Sequence, residues 1–141
     1  MNNYPIATIL GGGGFIGRYL VRNLTNKQFR CIIPTRKAFQ KGYLKTQAPP
    51  GSVELIDFNS NNFDKIEEAI SNSDIVINLI GILFEKGKRN SFTNIHTNFP
   101  MMLAKLAHHN KIQQLIHVSA LGIEKALDSE YAISKLNVEK N

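Results

Sequence analysis

The fold is decided by one stretch near the N-terminus, Ile6-Ala-Thr-Ile-Leu10-Gly-Gly-Gly-Gly14, followed by Phe15-Ile-Gly-Arg-Tyr-Leu-Val-Arg-Asn-Leu24. Its first five residues are short and mostly apolar, which predicts a buried strand. The last ten residues predict an amphipathic helix, because apolar side chains recur every four positions at Ile16, Leu20 and Leu24. Four glycines stand between the two elements, so the chain is expected to turn sharply from strand into helix.

The rest of the chain repeats this alternation of strand and helix. Further strands are predicted at Phe29–Ile33, Val53–Asp57, Ile75–Leu79 and Gln114–Val118. Helical spacing follows at Phe63–Ile70, at Ile95–His109 and from Tyr131 onward. Pro34 is expected to end the second strand, and residues 35–52 are predicted to form a loop broken by Pro49-Pro-Gly51.

This order predicts the fold class, a Rossmann-like α/β domain with a doubly wound parallel sheet of about five strands. Parallel neighbours need helical crossovers, and strands that are apolar on both faces suit a sheet covered on both sides. In such sheets ligands lie beyond the carboxyl ends of the strands. The residues just after each strand are therefore the first candidates for a functional site.

Composition indicates one globular domain over residues 1–141. Apolar residues make up 43% and charged residues 20%, which argues against disorder, a fibre or a coiled coil. The lone Cys31 cannot form an internal disulfide, and the four histidines lack the spacing of a helical ligand pair, so no metal site is expected. The longest apolar run, Ile75–Phe84, is shorter than the ~20 residues of a membrane helix. With no secretory signal pattern, the cytoplasm is the expected location.

Positive charge is concentrated before the first acidic residue, Glu54. The net charge is +6, and eight basic residues precede that position: Arg18, Arg22, Lys27, Arg30, Arg36, Lys37, Lys41 and Lys45. A basic segment without acids is compatible with a mitochondrial transit peptide, a nucleic-acid patch or a site for a phosphorylated ligand. The glycine turn inside the same segment indicates folded structure and favours the phosphorylated ligand.

The glycine turn has the spacing of a dinucleotide-binding loop. It fits G-x-x-G-x-x-G at Gly11, Gly14 and Gly17, and G-x-G-x-x-G when Gly12 replaces Gly11. Backbone without side chains can approach a pyrophosphate closely, and the helix that starts near Phe15 and Ile16 offers amides and a positive end to the anion. The alternative is a plain tight turn, although few turns need so many glycines.

The end of the second strand predicts which cofactor binds. NAD-binding domains carry an acidic residue there, which accepts from the adenosine ribose 2′-hydroxyl. This chain has Arg36 and Lys37 instead. A guanidinium and an ammonium suit a 2′-phosphate, so NADPH is predicted to be preferred over NADH. A solvated basic loop is the alternative.

Two further positions follow strands and are weaker candidates. Asp57 after the third strand could accept from the adenine amino group, and Phe58 could cover the adenine ring. After the fourth strand, Leu79 and Ile80 lead to Gly81, whose lack of a side chain would let backbone pass close to the cofactor. Ordinary loop roles explain both positions equally well.

Tyr131 and Lys135 are the candidate catalytic pair. Residues four apart lie on one face of a helix, and a nearby ammonium favours the phenolate of a tyrosine. Such a tyrosine can exchange a proton with a carbonyl or alcohol while hydride moves. A pair on a solvated helix face is the alternative, and the position after the fifth strand favours the functional one.

Several motifs together resemble the extended short-chain dehydrogenase/reductase superfamily: Gly13-Gly-Phe-Ile-Gly17, Ile32-Ile-Pro-Thr-Arg36, Val76-Ile-Asn-Leu-Ile-Gly81, Ile116-His-Val-Ser119 and Tyr131-x-x-x-Lys135. In detail they are similar to an atypical branch that contains the NADPH-binding accessory subunit of respiratory complex I and its bacterial relatives. The resemblance implies a Rossmann fold with a tightly held NADPH that hardly turns over. It also implies complex I as a partner, at the inner face of a bacterial membrane.

Two departures from the superfamily shape the functional expectation. Active members carry a Ser or Thr two residues beyond Ser119, where this chain has Leu121, and Ser119 itself is placed to cap the strand. Extended members also continue well past the position of Lys135, so an incomplete domain without its substrate-binding portion is expected. The resemblance therefore implies an NADPH-binding module with a structural or regulatory role.

Two other functions stay open. One is the N-terminal part of an active NAD(P)-dependent oxidoreductase or sugar-nucleotide epimerase/dehydratase that needs a missing C-terminal half. The other is a basic nucleic-acid-binding domain, for which the sequence shows no aromatic stacking platform or reading motif, so nucleic acid is not expected as a partner.

Overall fold

A computed structural model describes residues 3–58, 63–80, 97–119 and 130–139 of the chain. Five parallel strands form one sheet in the order β3-β2-β1-β4-β5. The strands are β1 (Ile6–Leu10), β2 (Arg30–Thr35), β3 (Val53–Asp57), β4 (Ile75–Asn78) and β5 (Gln114–His117). The predicted fold class, a Rossmann-like doubly wound sheet, is confirmed.

Helices connect successive strands and cover both faces of the sheet. They are α1 (Phe15–Asn26), the short α2 (Tyr43–Thr46), α3 (Phe63–Ile70), α4 (Phe99–His109) and α5 (Glu130–Glu139). Among the helices described, none is long and apolar enough to cross a lipid bilayer.

The core has two layers because successive strand residues point to opposite faces. On one face Ile9 and Ile77 pack with Val21 of α1 and Leu44 of α2. On the other face Leu10 and Val76 pack with side chains of α3 and α4: Ile66, Ile70, Phe99 and Leu103. β1 has a strand on each side and helices over both faces, so its last four residues, from Ala7 to Leu10, are fully buried.

The buried face of α1 is one position away from the predicted one. Ile16 is 57% exposed, and the fully buried side of the helix carries Gly17, Val21 and Thr25. Leu20 and Leu24 flank this side and pack partly against the core. The reason is that Gly17 is the point where α1 comes closest to the backbone of the preceding turn, which rotates the helix toward that residue.

Pro34 lies inside β2, where the sequence predicts that it ends the strand. The amide of Arg30 donates to Pro5 on the β1 side, and that of Cys31 donates to Ser52 on the β3 side. This alternation turns the Pro34 nitrogen toward β1, beyond the last paired residues of those two strands, Thr8 and Ile32. The missing N–H therefore breaks no hydrogen bond of the sheet.

Smaller differences concern element ends. The predicted loop at residues 35–52 contains a 3-10 turn, Ala38–Gln40, as well as α2. Strands β4 and β5 each stop one residue earlier than predicted, and α4 begins at Phe99. The Ile95 start of that helix, Gly81 and Leu121 lie outside the described residues.

Candidate functional site

The candidate site lies where the order of the strands reverses, between the carboxyl ends of β1 and β4. From β1 the chain builds the sheet outward through β2 and β3, then returns to place β4 on the other side of β1. The crevice at such a reversal is where ligands bind in open α/β sheets. Both Leu79 and Ile80, which the sequence singles out, follow β4 at this point, and the Leu79 amide donates to Leu10 at 2.8 Å.

Gly11 meets two requirements that exclude a side chain. Its φ is +82°, in the left-handed region that favours glycine. A Cβ at Gly11 would also lie 3.1 Å from the Ile80 nitrogen and from the Leu79 carbonyl carbon. Gly11 therefore allows the end of β1 to pass close beside the end of β4.

Gly14 and Gly17 complete the turn into α1. The Gly14 amide donates to the Gly11 carbonyl at 3.1 Å, which closes a tight turn, and Gly14 is the N-cap of the helix. A Cβ at Gly17 would lie 2.5 Å from the Cα and carbonyl carbon of Gly12. The predicted spacing thus corresponds to one compact backbone loop, with each of its three glycines in a separate structural role.

The start of α1 is open to solvent. Phe15 is 73% exposed and contacts Tyr19 edge-to-face, with ring centroids 5.6 Å apart. The first amides of any helix have no intrahelical acceptor, and no acidic side chain stands in the first turn of α1. The helix dipole therefore stays positive there and available to an anion.

Two residues that the sequence does not single out cover the glycine loop. The Tyr43 hydroxyl donates to the Gly13 carbonyl at 2.6 Å. The side chain of Lys41 lies over the same glycine, since a Cβ at Gly13 would be 3.1 Å from Lys41 Cδ. These contacts join positions about 30 residues apart, so no local pattern could reveal them. The only signal was the basic, acid-free segment to which Lys41 belongs.

The structure places Arg36 and Lys37 directly after β2, both exposed. Lys37 has a φ of +52°, and the 3-10 turn Ala38–Gln40 begins after it. Asp57 lies beside them at the end of β3, where its Oδ1 accepts the Ala38 amide at 3.0 Å. The carboxylate therefore holds the segment that carries the two cations.

Phe58 is part of the core below this edge of the sheet. It is 9% exposed and packs in the same cluster as Leu10 and Ile66. Its amide donates to the Thr35 carbonyl at 3.1 Å, which continues the pairing of β3 with β2. Only a small part of the ring is accessible to a ligand.

Side chains of β4, β5 and α5 meet at the opposite end of the crevice. Asn78 is buried, its Nδ2 lies 3.1 Å from Nδ1 of His117, and its Oδ1 accepts the Ile80 amide. Lys135 is only 4% exposed, and its Nζ donates to the Val118 carbonyl at 3.2 Å. The backbone of Tyr131 is on the same helix, and its side chain lies outside the described residues.

Ser119 stands directly after β5. Its Oγ is buried and finds no hydrogen-bond partner within the part of the chain that the structure describes. A cavity of about 620 Å³ opens beside it, between β5 and α4, and its polar lining includes Asn78, His117, Lys105 and His108.

These observations test whether a dinucleotide fits. Its pyrophosphate needs bare backbone beside a helix N-terminus, and Gly11, Gly14 and Gly17 supply it. A ribose 2′-phosphate needs cations at the end of β2, where Arg36 and Lys37 stand. The residues present therefore fit a dinucleotide laid across the carboxyl edge of the sheet.

A known protein family matches nearly the whole chain. The family model described as "NAD dependent epimerase/dehydratase family" matches residues 7–140. The chain belongs to this family. The relationship to short-chain dehydrogenases and epimerases predicted from the motifs is thereby confirmed.

Curated relatives of this chain are named as subunits of respiratory complex I. The mitochondrial NADH-ubiquinone oxidoreductase 40 kDa subunit of Neurospora crassa is 31% identical over 134 residues, which is 95% of this chain and 36% of the relative. NADH dehydrogenase [ubiquinone] 1 alpha subcomplex subunit 9, mitochondrial, of Mus musculus is 30% identical over 136 residues. The match covers 96% of this chain and 36% of that relative. The chain thus spans about a third of these relatives, and they agree with the predicted branch.

Solved structures agree on the fold at lower identity. Pen from Bacillus thuringiensis superposes with a TM-score of 0.83 at 18% identity, over 96% of this chain and 43% of the Pen chain. UDP-glucuronic acid 4-epimerase from Bacillus cereus, solved in complex with NAD, superposes with a TM-score of 0.75 at 19% identity. The superposition covers 96% of this chain and 50% of the epimerase chain.

Proposed function

We propose that this chain is an NADPH-binding Rossmann module with a structural or regulatory role, like the complex I subunits that it resembles. One observation carries the proposal: the glycine loop stands at the strand reversal, and the adjacent end of β2 carries Arg36 and Lys37 where NAD-binding domains have an acid. The relatives named for complex I support the structural role.

Each part of the cofactor has its own group of residues. Gly11, Gly14 and Gly17, with the amides at Phe15 and Ile16, hold the pyrophosphate. Arg36 and Lys37 bind the 2′-phosphate, and Asp57 at the same edge offers an acceptor to the adenine amino group. Leu79, Ile80 and Gly81 flank the nicotinamide half, and Tyr131 and Lys135 hold its ribose.

Titration of the purified chain with NADPH and NADH, followed by cofactor fluorescence, tests this assignment. Binding that favours NADPH is expected, and Arg36→Met should raise the Kd for NADPH about tenfold, or about 1.4 kcal/mol, while the Kd for NADH stays unchanged. Arg22→Met is the matched control, since it removes a charge that is also exposed, from α1. Equal affinity for both cofactors would contradict the NADPH assignment, and circular dichroism of the same sample reports whether the chain is folded.

A second candidate function is that of an active NAD(P)-dependent oxidoreductase or epimerase, of which these residues form the N-terminal part. The observation that favours it is the buried Lys135, brought to the end of β5 by the helix that also carries Tyr131. Bound nicotinamide would supply hydride transfer there, and the tyrosine would hold or release the proton. Substrate-dependent NADPH oxidation, lost in Tyr131→Phe, would establish this function.

We further propose complex I, in the cytoplasm at the inner face of the membrane, as the partner. The support is the set of relatives named as its subunits. A tagged chain should migrate with complex I on native gels of solubilised membranes, and Arg22→Met should migrate like the wild type. Migration only as the free chain would contradict the partner.

A further inference from the structure

Gly13 is a buried glycine that the dinucleotide spacing leaves unexplained. The three glycines of the predicted spacing are Gly11, Gly14 and Gly17; a Cβ at Gly11 or Gly17 would meet backbone, and Gly14 is the N-cap of α1. A Cβ at Gly13 would instead meet a side chain, 3.1 Å from Lys41 Cδ and 3.2 Å from Lys41 Cε. The absence of a side chain at position 13 therefore makes room for the stem of Lys41.

The peptide between Gly13 and Gly14 is held from both sides. Its carbonyl accepts the Tyr43 hydroxyl at 2.6 Å, and its amide donates to Gly11 at 3.1 Å. The guanidinium of Arg18 lies 5.8 Å from the centre of the Tyr43 ring, which helps to keep the tyrosine in place. Four successive glycines lose much conformational entropy on folding. The hydrogen bond from Tyr43 helps to offset that cost by fixing the loop from outside.

Lys41 brings a positive charge to this anchored loop. Its stem is half-buried over Gly13, and among the residues that the structure describes it makes no ion pair. An ammonium held by a packed stem with no carboxylate beside it is suited to an anionic ligand. The segment that carries it starts at the end of β2, where the adenosine ribose of a dinucleotide lies.

We propose that Lys41 is a ligand of the phosphate on the adenosine ribose, and that the absence of a side chain at Gly13 lets the Lys41 side chain reach that phosphate. The inference rests on the proposed function, in which the glycine loop binds NADPH. It adds a specificity-determining residue that neither the motif spacing nor the strand ends reveal.

Lys41→Met in the full chain tests the ligand role, because methionine keeps an apolar stem and removes the charge. The probes are NADPH, NADH and adenosine 2′,5′-bisphosphate. The Kd for NADPH and for the bisphosphate should rise about tenfold, the change expected from one charge-assisted hydrogen bond, and the Kd for NADH should stay within about twofold. Lys27→Met, which removes a charge from the far end of α1, should change none of them.

Three outcomes would overturn the inference. If Lys41→Met weakens NADPH and NADH equally, the lysine contacts the pyrophosphate; if it weakens neither, it is no ligand. In both cases a wild-type preference for NADPH leaves the proposed function intact. A folded wild-type chain that binds none of the probes refutes the proposed function and this inference together.

The role of Gly13 is tested by a double-mutant cycle. Gly13→Ala should weaken NADPH binding in the wild-type background, because the new methyl group forces the Lys41 stem to shift by a few tenths of an ångström. In a Lys41→Ala background the same change should have little effect on NADPH binding, since no stem remains to be displaced. The same non-additivity is expected in urea unfolding without any cofactor. Additive effects in both measurements would contradict the role assigned to Gly13.

Discussion

Replacement of Gly17 by alanine tests the packing on which the whole glycine loop depends. A Cβ at this position would lie 2.5 Å from the Gly12 Cα and carbonyl carbon. Carbon atoms in contact are ordinarily about 3.5–4.0 Å apart, so the overlap is about 1 Å. The obstacle is backbone at the start of a tight turn, which cannot rotate away as a side chain would.

Two opposing effects set the size of the change. Alanine is favoured over glycine inside a helix by about 1 kcal/mol. Overpacking in a close-packed region costs roughly 1–3 kcal/mol, and the upper end applies here because backbone must move. The expected net loss is about 2 kcal/mol of unfolding free energy, or roughly 8 °C in Tm for a chain of this size.

Urea unfolding followed by far-UV circular dichroism measures the loss. Gly42→Ala is the matched control, because its φ is −56° and no heavy atom lies within 4 Å of the added Cβ. The control should be neutral or more stable by up to about 1 kcal/mol, through the unfolded state alone. The packing argument fails if Gly17→Ala unfolds within about 0.5 kcal/mol of the wild type, the ordinary range of surface substitutions.

Two further predictions concern Cys31 and Tyr43. Burial raises the pKa of the Cys31 thiol from 9.0 to about 12, so thiol labelling at pH 8 should require unfolding. As pH rises, the thiol loses its proton in the unfolded state before it does so in the folded state. The stability that Cys31 contributes should therefore be complete below pH 9 and decrease toward pH 12. Urea titrations of Cys31→Ala should not show this decrease. Tyr43→Phe removes the donor to the Gly13 carbonyl from a partly buried hydrogen bond and should lower the unfolding free energy by about 0.5–1.5 kcal/mol, whereas Tyr19→Phe should not; equal unfolding midpoints would refute it.

The sequence predicted the sheet well because its signals are local. Each buried strand is a short apolar run, and rules of connection leave few ways to arrange five such runs that alternate with helices. The glycine loop was predictable for the same reason: Gly11, Gly14 and Gly17 lie within seven residues, and backbone geometry excludes a side chain at Gly11 and Gly17. Periodicity also gave the buried positions Ile66, Ile70 and Leu103.

The predictions that were wrong depended on packing geometry that a local hydrophobic pattern does not contain. Pro34 fits inside β2 only because its nitrogen faces the side where pairing with β1 has ended. The orientation of α1 follows from the contact of Gly17 with Gly12, which outweighs the burial of Ile16. The contact of Lys41 with Gly13 requires that the segment after β2 fold back over the loop, and hydrophobic periodicity contains no information about that.

The buried lysine at the other end of the crevice bears on both candidate functions. A charge removed from water costs several kcal/mol unless hydrogen bonds replace its hydration. Lys135 is 4% exposed and donates to the Val118 carbonyl, so it does not belong to a solvated helix face. A lysine on a solvated face would need no such support, whereas one that orients a ribose or a tyrosine needs a fixed position. Both a static NADPH site and an active enzyme use that position, so turnover, and not the presence of the lysine, distinguishes them.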